Sequence, residues 1–397
     1  MIFKDILWNI VSNVLLAIFG IALLLIINKI LNPHLIAGIT VTLLIVGISS
    51  AFDFGLSRQV IKYIATDDEK ICGVKKAFEI IGITYSILII VIYILTRLLS
   101  INGFFGELSI LDISIIALLP LQITKSSYYL AIAQGHGKFR YYAITKFIGN
   151  FGFLISLITV IIFELLWPAL LLATILRYLL NKKIRNDFAI RNQNAITLKP
   201  FKDCGWLGAN AFFSIVVGSA DKIIISLEGN ASSVATYNTL AEAIGRFGLI
   251  SGAIWIVLLQ KISQIKRNED IIQKAKIISR YNIIFFLPLF LGLMTLSKLG
   301  SEEIFGNPYN DDIIKIMLLS TFAQIYTGTY SNFLLSHTSG KIIALIQAVE
   351  FIPMFIAGFL ALKFYGLYGL ALCMLIRIII DGLIVKLYFY KTFYKSR

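Results

Sequence analysis

Long apolar runs separated by short polar breaks recur from one end of the chain to the other. Most approach twenty residues, about the length at which an α-helix crosses a hydrocarbon core of roughly 30 Å. Reading runs between breaks predicts helices near 8–30, 36–61, 77–99, 112–134, 142–163, 168–187, 205–227, 234–260, 279–299, 313–335, 342–362 and 368–389. A transmembrane barrel would show segments of about ten residues alternating apolar and polar, and no such alternation occurs. Only helices and closed barrels satisfy every backbone group in lipid. The pattern therefore predicts an all-α integral membrane protein of about twelve spans. The first run, Val14–Ile27 behind Lys4, is long, and no small-x-small cleavage site follows before Asn32-Pro33. It is read as a retained first helix rather than a signal peptide.

Composition agrees with that reading. Apolar residues make up 58% of the 397 and charged residues 15%, with a mean hydropathy of +0.84, against about half and a quarter in soluble chains. Cys72, Cys204 and Cys373 are far apart and suggest neither a disulfide framework nor a metal site.

The formal charge of +14 could point to nucleic acid, but its distribution points elsewhere. The side holding both termini and the breaks after even-numbered helices carries 24 of the 36 Lys and Arg. Only Lys29, Arg97, Lys298, Lys315 and Lys363 fall on the opposite side. By the positive-inside rule both termini are cytoplasmic and the number of spans is even. The charge is a topology signal, and a nucleic-acid partner is not expected.

The longest break, 188–204, divides the chain into six-helix bundles at 1–187 and 205–397 joined by a cytoplasmic linker. A faint repeat supports two halves. Gly137-Lys138 after helix 4 and Gly340-Lys341 after helix 10 lie 203 positions apart. Transporter folds are often built from such repeats, with the substrate site at the interface between them.

Seven basic residues remain inside predicted helices: Arg58, Lys125, Lys146, Arg177, Lys222, Arg246 and Arg377. Acidic companions are Asp53, Asp221, Glu242, Glu350 and Asp381. Ionisable groups at bilayer depth cost at least ~2.5–3.5 kcal/mol each, so they face a cavity or a partner. Glu242 with Arg246, and Arg377 with Asp381, stand at i, i+4 and can neutralise each other. Arg58 and Arg177 lie toward cytoplasmic ends and can snorkel. Lys125 lacks a local partner and sits in a polar stripe with Gln122, Ser126 and Tyr129. Further stripes are Asn210/Ser214/Gly218/Asp221, Gln324/Thr327/Gly328/Ser331 and Lys146/Asn150. One stripe reads as interhelical hydrogen bonding. Several together, two carrying lysines, read as a hydrated cavity that is cationic on balance and suits a phosphate or diphosphate. Pro120, Pro288 and Pro353 fall inside helices and are possible bend points. Catalytic patterns are missing: His34, His136 and His337 lie in different breaks, without a hydrolase triad, metal motif or nucleotide-binding loop.

The segment from Ala51 to Ala65 contains Asp53-Phe54-Gly55-Leu56, Arg58 and Lys62-Tyr63-Ile64-Ala65. Further along come Gln134-Gly135-x-Gly137-Lys138, Ala220-Asp221-Lys222-Ile223-Ile224, Ile304-Phe305-Gly306-Asn307-Pro308-Tyr309 and Tyr365-Gly366-Leu367-Tyr368-Gly369. In this order the segments resemble polysaccharide exporters of the multidrug/oligosaccharidyl-lipid/polysaccharide (MOP) superfamily, particularly Wzx-type O-antigen flippases. The resemblance spans the whole chain. It implies a MATE-like, V-shaped pair of six-helix bundles. It also implies translocation of an undecaprenyl-diphosphate-linked oligosaccharide across a bacterial inner membrane, coupled to a proton or sodium gradient and working beside other polysaccharide-assembly membrane proteins. No cofactor is implied. Lys125, Arg246, Lys146, Arg377 and Gln122 are then expected to line the cationic cavity. Asp221, Glu242 and Glu350 are candidates for ion coupling. Asp53, Gly55, Arg58 and Lys62 are expected to hold the helix 2 turn. Two rival readings remain at this point. A cation-coupled drug exporter would need an acidic cavity. A membrane-embedded glycan polymerase or ligase would need catalytic groups that the sequence does not display.

Overall fold

The computed structural model describes residues 2–51, 53, 55–65, 74–99, 103–187, 199–262, 267–305, 310–338 and 340–394. The side chains of Arg58 and Lys62, residues 188–198 of the expected linker, and the Gly306–Tyr309 motif lie outside the described residues.

All regular structure in the described residues is helical. In chain order come α1 (Ile2–Ile30), α2 (Pro33–Ala51), α3 (Leu56–Ala65), α4 (Val74–Leu98), the one-turn α5 (Phe104–Glu107) and α6 (Ile110–Gly135). They are followed by α7 (Phe139–Ser156), α8 (Ile158–Phe163), α9 (Leu166–Asp187), α10 (Lys199–Gly218) and α11 (Ala220–Glu228). The last are α12 (Ala231–Ile262), α13 (Asn268–Phe305), α14 (Asn310–His337) and α15 (Lys341–Tyr394). Each of the twelve expected helices has its counterpart, but five are drawn differently.

Helix 2 is not continuous. Gly55 takes φ 76°, and the Asp53 carboxylate accepts from Gly55 N–H at 2.9 Å and Ser57 N–H at 3.0 Å. This restarts the chain as α3 in the way a side-chain cap satisfies the orphan donors of a first turn. Helix 5 is interrupted at Leu157 between α7 and α8. Helix 7 bends by 50° between α10 and α11, so Asp221 sits in the first turn of a new helix and the Asn210-to-Asp221 stripe is not one straight face. Helices 11 and 12 run together as α15, broken only where Gly366 adopts φ 62°, ψ −151°. The three prolines lie inside α6, α13 and α15. The non-helical residues within long helices are instead glycines, Gly205 and Gly366.

The faint repeat has a local cause. Gly137 and Gly340 have φ of 71° and 72°, the left-handed conformation that ends a helix at its C′ position. At the first, Gly137 N–H bonds the Gln134 carbonyl at 2.9 Å and Lys138 N–H the Ala133 carbonyl at 3.0 Å. Helix starts are capped too: Asn32 accepts from Leu35 N–H, Ser109 from Asp112 N–H, and Asn230 from Ser233 N–H.

The chain forms two compact units, Met1–Asn238 and Thr239–Arg397. In the N-terminal unit α6 is the hub, touching α2, α3, α4, α7 and α9. Small residues admit close approach, as in membrane bundles generally: a side chain at Gly82 would meet Thr124 and Leu121 of α6. A buried cluster built on Leu56, Val60, Phe78, Ile81, Tyr128 and Ile132 fills the space between α3, α4 and α6. α10 and α11 also belong to this unit, packing on α2, α3, α4 and α5. There Phe104 N–H donates to the Gly229 carbonyl at 3.1 Å, and Gly103 presses on Leu227 so tightly that a Cβ would stand 1.6 Å from its carbonyl oxygen.

In the C-terminal unit α14 packs between α13 and α15. Asn282 donates to Thr329 at 3.0 Å and Lys386 to Tyr326 at 3.0 Å, and Gly382 lets Thr327 approach α15. Tyr330, Phe333 and Phe389 form an edge-packed aromatic core. Thr327 of the predicted α14 stripe is thus used in packing, whereas Gln324 is exposed.

Large apolar side chains also cover the outside, among them Leu98 at 73% exposed, Phe285 at 74% and Val349 at 74%. Such continuous apolar surface belongs in lipid rather than water. By length and composition Val11–Ile30, Val74–Leu98, Ile110–Gly135, Phe139–Phe163 and Asn268–Lys298 qualify as spans, and the bent α10–α11 pair makes one more. α9 carries several charges, and α14 carries its polar stripe, which lowers the hydropathy of those rods.

Candidate functional site

Intramembrane charges were the sequence's candidates for function, and the two units hold them differently. In the N-terminal unit a polar seam runs through α6, α7 and α9. Ser126 donates to Asn181 Oδ1 at 2.7 Å, and Asn181 Nδ2 donates to the Gln122 carbonyl at 3.0 Å. The Gln122–Ser126 side of the α6 stripe is therefore joined to α9. Lys125, one residue round the helix from Ser126, is half-buried, as is Lys146 on α7. The Lys146 ammonium lies 6.0 Å from the centre of the Tyr142 ring, a cation–π arrangement. Among the described residues neither lysine forms a salt bridge.

Arg177 departs from expectation. Only 6% of it is exposed, so it does not reach back to the surface. Its Nη2 donates to Asn150 Oδ1 at 3.1 Å, while its Nε is buried without an acceptor. It therefore does not snorkel; its contact from α9 to α7 joins residues 27 positions apart, which the periodicity of one helix does not show. The visible signal was Asn181, one turn further along the same face of α9.

At the bend between α10 and α11, Asp221 is 8% exposed and accepts a hydrogen bond from Tyr237 at 2.9 Å. Tyr237, a residue the sequence reading did not single out, is 1% exposed. The Asp221 Oδ1 is buried without a donor. Lys222 points elsewhere, as adjacent helical residues must. Asp53 stays in its turn, bonded to backbone.

In the C-terminal unit cations have acidic company. Arg246, 9% exposed, interacts electrostatically with Glu242 one turn before it. Glu350 on the first arm of α15 lies in the field of Arg377 and Asp381 on the second. Both Glu350 carboxylate oxygens are buried and accept no hydrogen bond among the described residues. The result is two carboxylates around one guanidinium. In the N-terminal unit Lys125, Lys146 and Arg177 have no such acidic partner among the described residues.

Nearer the expected membrane surfaces, pairs are conventional. Asp311 at the start of α14 accepts from Lys315 at 2.5 Å and from Ser297 of α13. These bonds, the one from Lys315 first, hold its carboxyl below the usual carboxylate range. Tyr141 donates to Asp187 at 2.6 Å.

An all-helical chain with this order of helices has relatives. Solved structures that share the fold include a multidrug resistance MATE family transporter of the MOP superfamily in its inward-facing conformation, with a TM-score of 0.74, 12% identity, and 98% of each chain covered. The outward-facing conformation gives 0.73 at 12% identity, covering 99% of this chain and 95% of the other. The lipid II flippase MurJ in an inward closed conformation gives 0.69 at 16% identity, covering 98% and 87%. The fold is that of MOP superfamily transporters. Residues 2–247 match the model of the polysaccharide biosynthesis protein family, and the chain belongs to that family. A Shigella flexneri protein named as a candidate O-antigen transporter is 24% identical over 410 residues, covering 97% of both chains.

Proposed function

We propose that this protein is a flippase that carries an undecaprenyl-diphosphate-linked oligosaccharide, an O-antigen or related surface-polysaccharide repeat unit, from the cytoplasmic to the periplasmic leaflet of a bacterial inner membrane by alternating access. The observation that carries this reading is the set of bilayer-depth cations in the N-terminal unit. Lys125 and Lys146 are half-buried and form no salt bridge with a described residue. Each costs at least ~2.5–3.5 kcal/mol to insert unless something compensates it, and an anionic head group supplies that compensation when it binds. Family membership and the likeness to a candidate O-antigen transporter support polysaccharide as the cargo. The likeness to a lipid II flippase supports a lipid-linked form of it.

The acid-rich group in the C-terminal unit suits the coupling cation. Glu350 and Asp381 around Arg377, with Asp221 and Glu242 as further candidates, offer carboxylates to a proton or sodium ion. This is also the one feature that favours a cation-coupled drug exporter, since a cationic drug would seek the same carboxylates. A resistance assay in an exporter-deficient host separates the readings: the flippase confers no resistance. The principal test is complementation of a surface-glycan-deficient deletion strain, with protein level verified. Lys125→Ala and Lys146→Ala are each expected to reduce glycan assembly. Full complementation by both would sink the cationic-site reading. Surface accumulation of single repeat units in the deletion strain would identify a polymerase instead.

A further inference from the structure

We infer that Arg177 is a buried anion receptor that takes a phosphate oxygen of the cargo's diphosphate. This deepens, and rests on, the flippase reading above. A guanidinium presents five N–H donors in a planar fork. Here it is 94% withdrawn from solvent, given its 6% exposure, and its one described acceptor is the neutral Asn150 amide at 3.1 Å. Its Nε has no acceptor at all. No carboxylate among the described residues pairs with it. Asn181, the polar residue one turn along α9, is bonded to α6 instead: its carbonyl oxygen accepts from Ser126, and its amide nitrogen donates to Gln122.

An arginine kept for architecture ordinarily has a carboxylate or several carbonyls, because a buried charge without compensation is strongly destabilising. Arg177 has donors left over and full charge, the arrangement that two oxygens of a phosphate satisfy side by side. Its neighbours on α7 are polar. Lys146 and Asn150 stand at i, i+4 on one face of α7, and both are partly exposed. Asn150 touches the guanidinium and Lys146 lies one turn nearer the expected cytoplasmic end. An anion drawn to the outer lysine is therefore one side-chain layer from the inner arginine.

The test uses the purified full-length protein in detergent and three soluble probes: geranyl diphosphate, inorganic pyrophosphate and geraniol. Thermal melting is followed at increasing probe concentration. Wild type is expected to be stabilised by geranyl diphosphate, more weakly by pyrophosphate, and not by geraniol. Arg177→Met, which removes an uncompensated charge but retains bulk, should melt no lower than wild type without probe. Its response to geranyl diphosphate should be lost. Arg177→Lys, retaining charge but not the fork, should bind at least about ten-fold more weakly. A wild-type response left intact in both variants would overturn this inference and leave the flippase reading standing. If Arg177→Met does not fold, wild-type affinity in Arg177→Lys overturns the inference by itself. No wild-type response to either diphosphate would remove the diphosphate cargo and the role of Arg177 together. Stabilisation by pyrophosphate as strong as by geranyl diphosphate would assign the receptor to a free phosphate compound and overturn the lipid-linked cargo.

Discussion

Replacing Tyr237 by Phe removes one oxygen atom from the interior of the N-terminal unit and leaves the ring in place. That oxygen donates to Asp221 at 2.9 Å, and both residues are buried, at 1% and 8% exposed. The other Asp221 oxygen already lacks a donor, so the variant strips the carboxylate of its one described side-chain hydrogen bond. A hydrogen bond to a charged group contributes ~1.5–3 kcal/mol, and leaving the acceptor bare forfeits all of it. For a unit of 238 residues, 1 kcal/mol corresponds to a shift of about 2–4 °C. Tyr237→Phe should therefore melt roughly 3–12 °C below wild type. The assay is intrinsic fluorescence in detergent at neutral pH and one fixed scan rate, because membrane proteins commonly unfold irreversibly. Asp221→Asn is the control: it retains an acceptor for the hydroxyl and removes the charge, so it should melt above Tyr237→Phe. Unchanged melting of Tyr237→Phe, or Asp221→Asn falling below it, would refute the claim that this bond holds a buried carboxylate.

Two further outcomes follow from geometry nearer the membrane surfaces. Gly103→Ala would place a methyl 1.6 Å from the Leu227 carbonyl oxygen. The segments must part and the Phe104-to-Gly229 bond must break, so amide exchange over 103–107 should accelerate and stability fall by about 1–3 kcal/mol. Asp311 has its folded-state pKa depressed. Its contribution is therefore present above the unfolded carboxylate pKa, about 3.9, and is lost as pH falls through the folded value. Melting temperature should drop on acidification below about pH 4 in wild type, and by less in Asp311→Asn.

The order of helices was legible in the sequence because it is written in local runs. Twenty-residue apolar runs report length, and the polar breaks between them report where helices end. Breaks inside helices were less visible. Asp53 interrupts helix 2 through two backbone bonds, yet Asp-x-Gly inside an apolar run looks like a polar lapse in one helix. Gly366 separates two arms without the polar loop that would announce it. The charges were found, but not their company. Glu242 and Arg246 could be paired because they share a helix face. Arg177 and Asn150 could not, since 27 residues separate them and only packing of α7 on α9 brings them together. The same holds for Glu350, whose neighbours Arg377 and Asp381 lie beyond the Gly366 break. Periodicity shows which face of a helix is polar and is silent about what the face meets. Nothing in the α6 stripe announces that Asn181 of α9 bonds the Gln122 backbone carbonyl.

The joint between the connection at Gly103-Phe104 and the end of α11 is made of main chain on both sides. Carbonyls and amides are common to all residues, so Leu227 can be replaced freely without altering what that joint offers. Gly103 is constrained by bulk rather than by chemistry, and so is Gly229, where a Cβ would stand 2.6 Å from the Ile225 carbonyl oxygen. Relatives can drift far apart in sequence while keeping such a joint, at the cost of holding small residues at those two positions. A deep mutational scan should show it as two intolerant positions beside a permissive one, a contact that co-variation between side chains would never reveal.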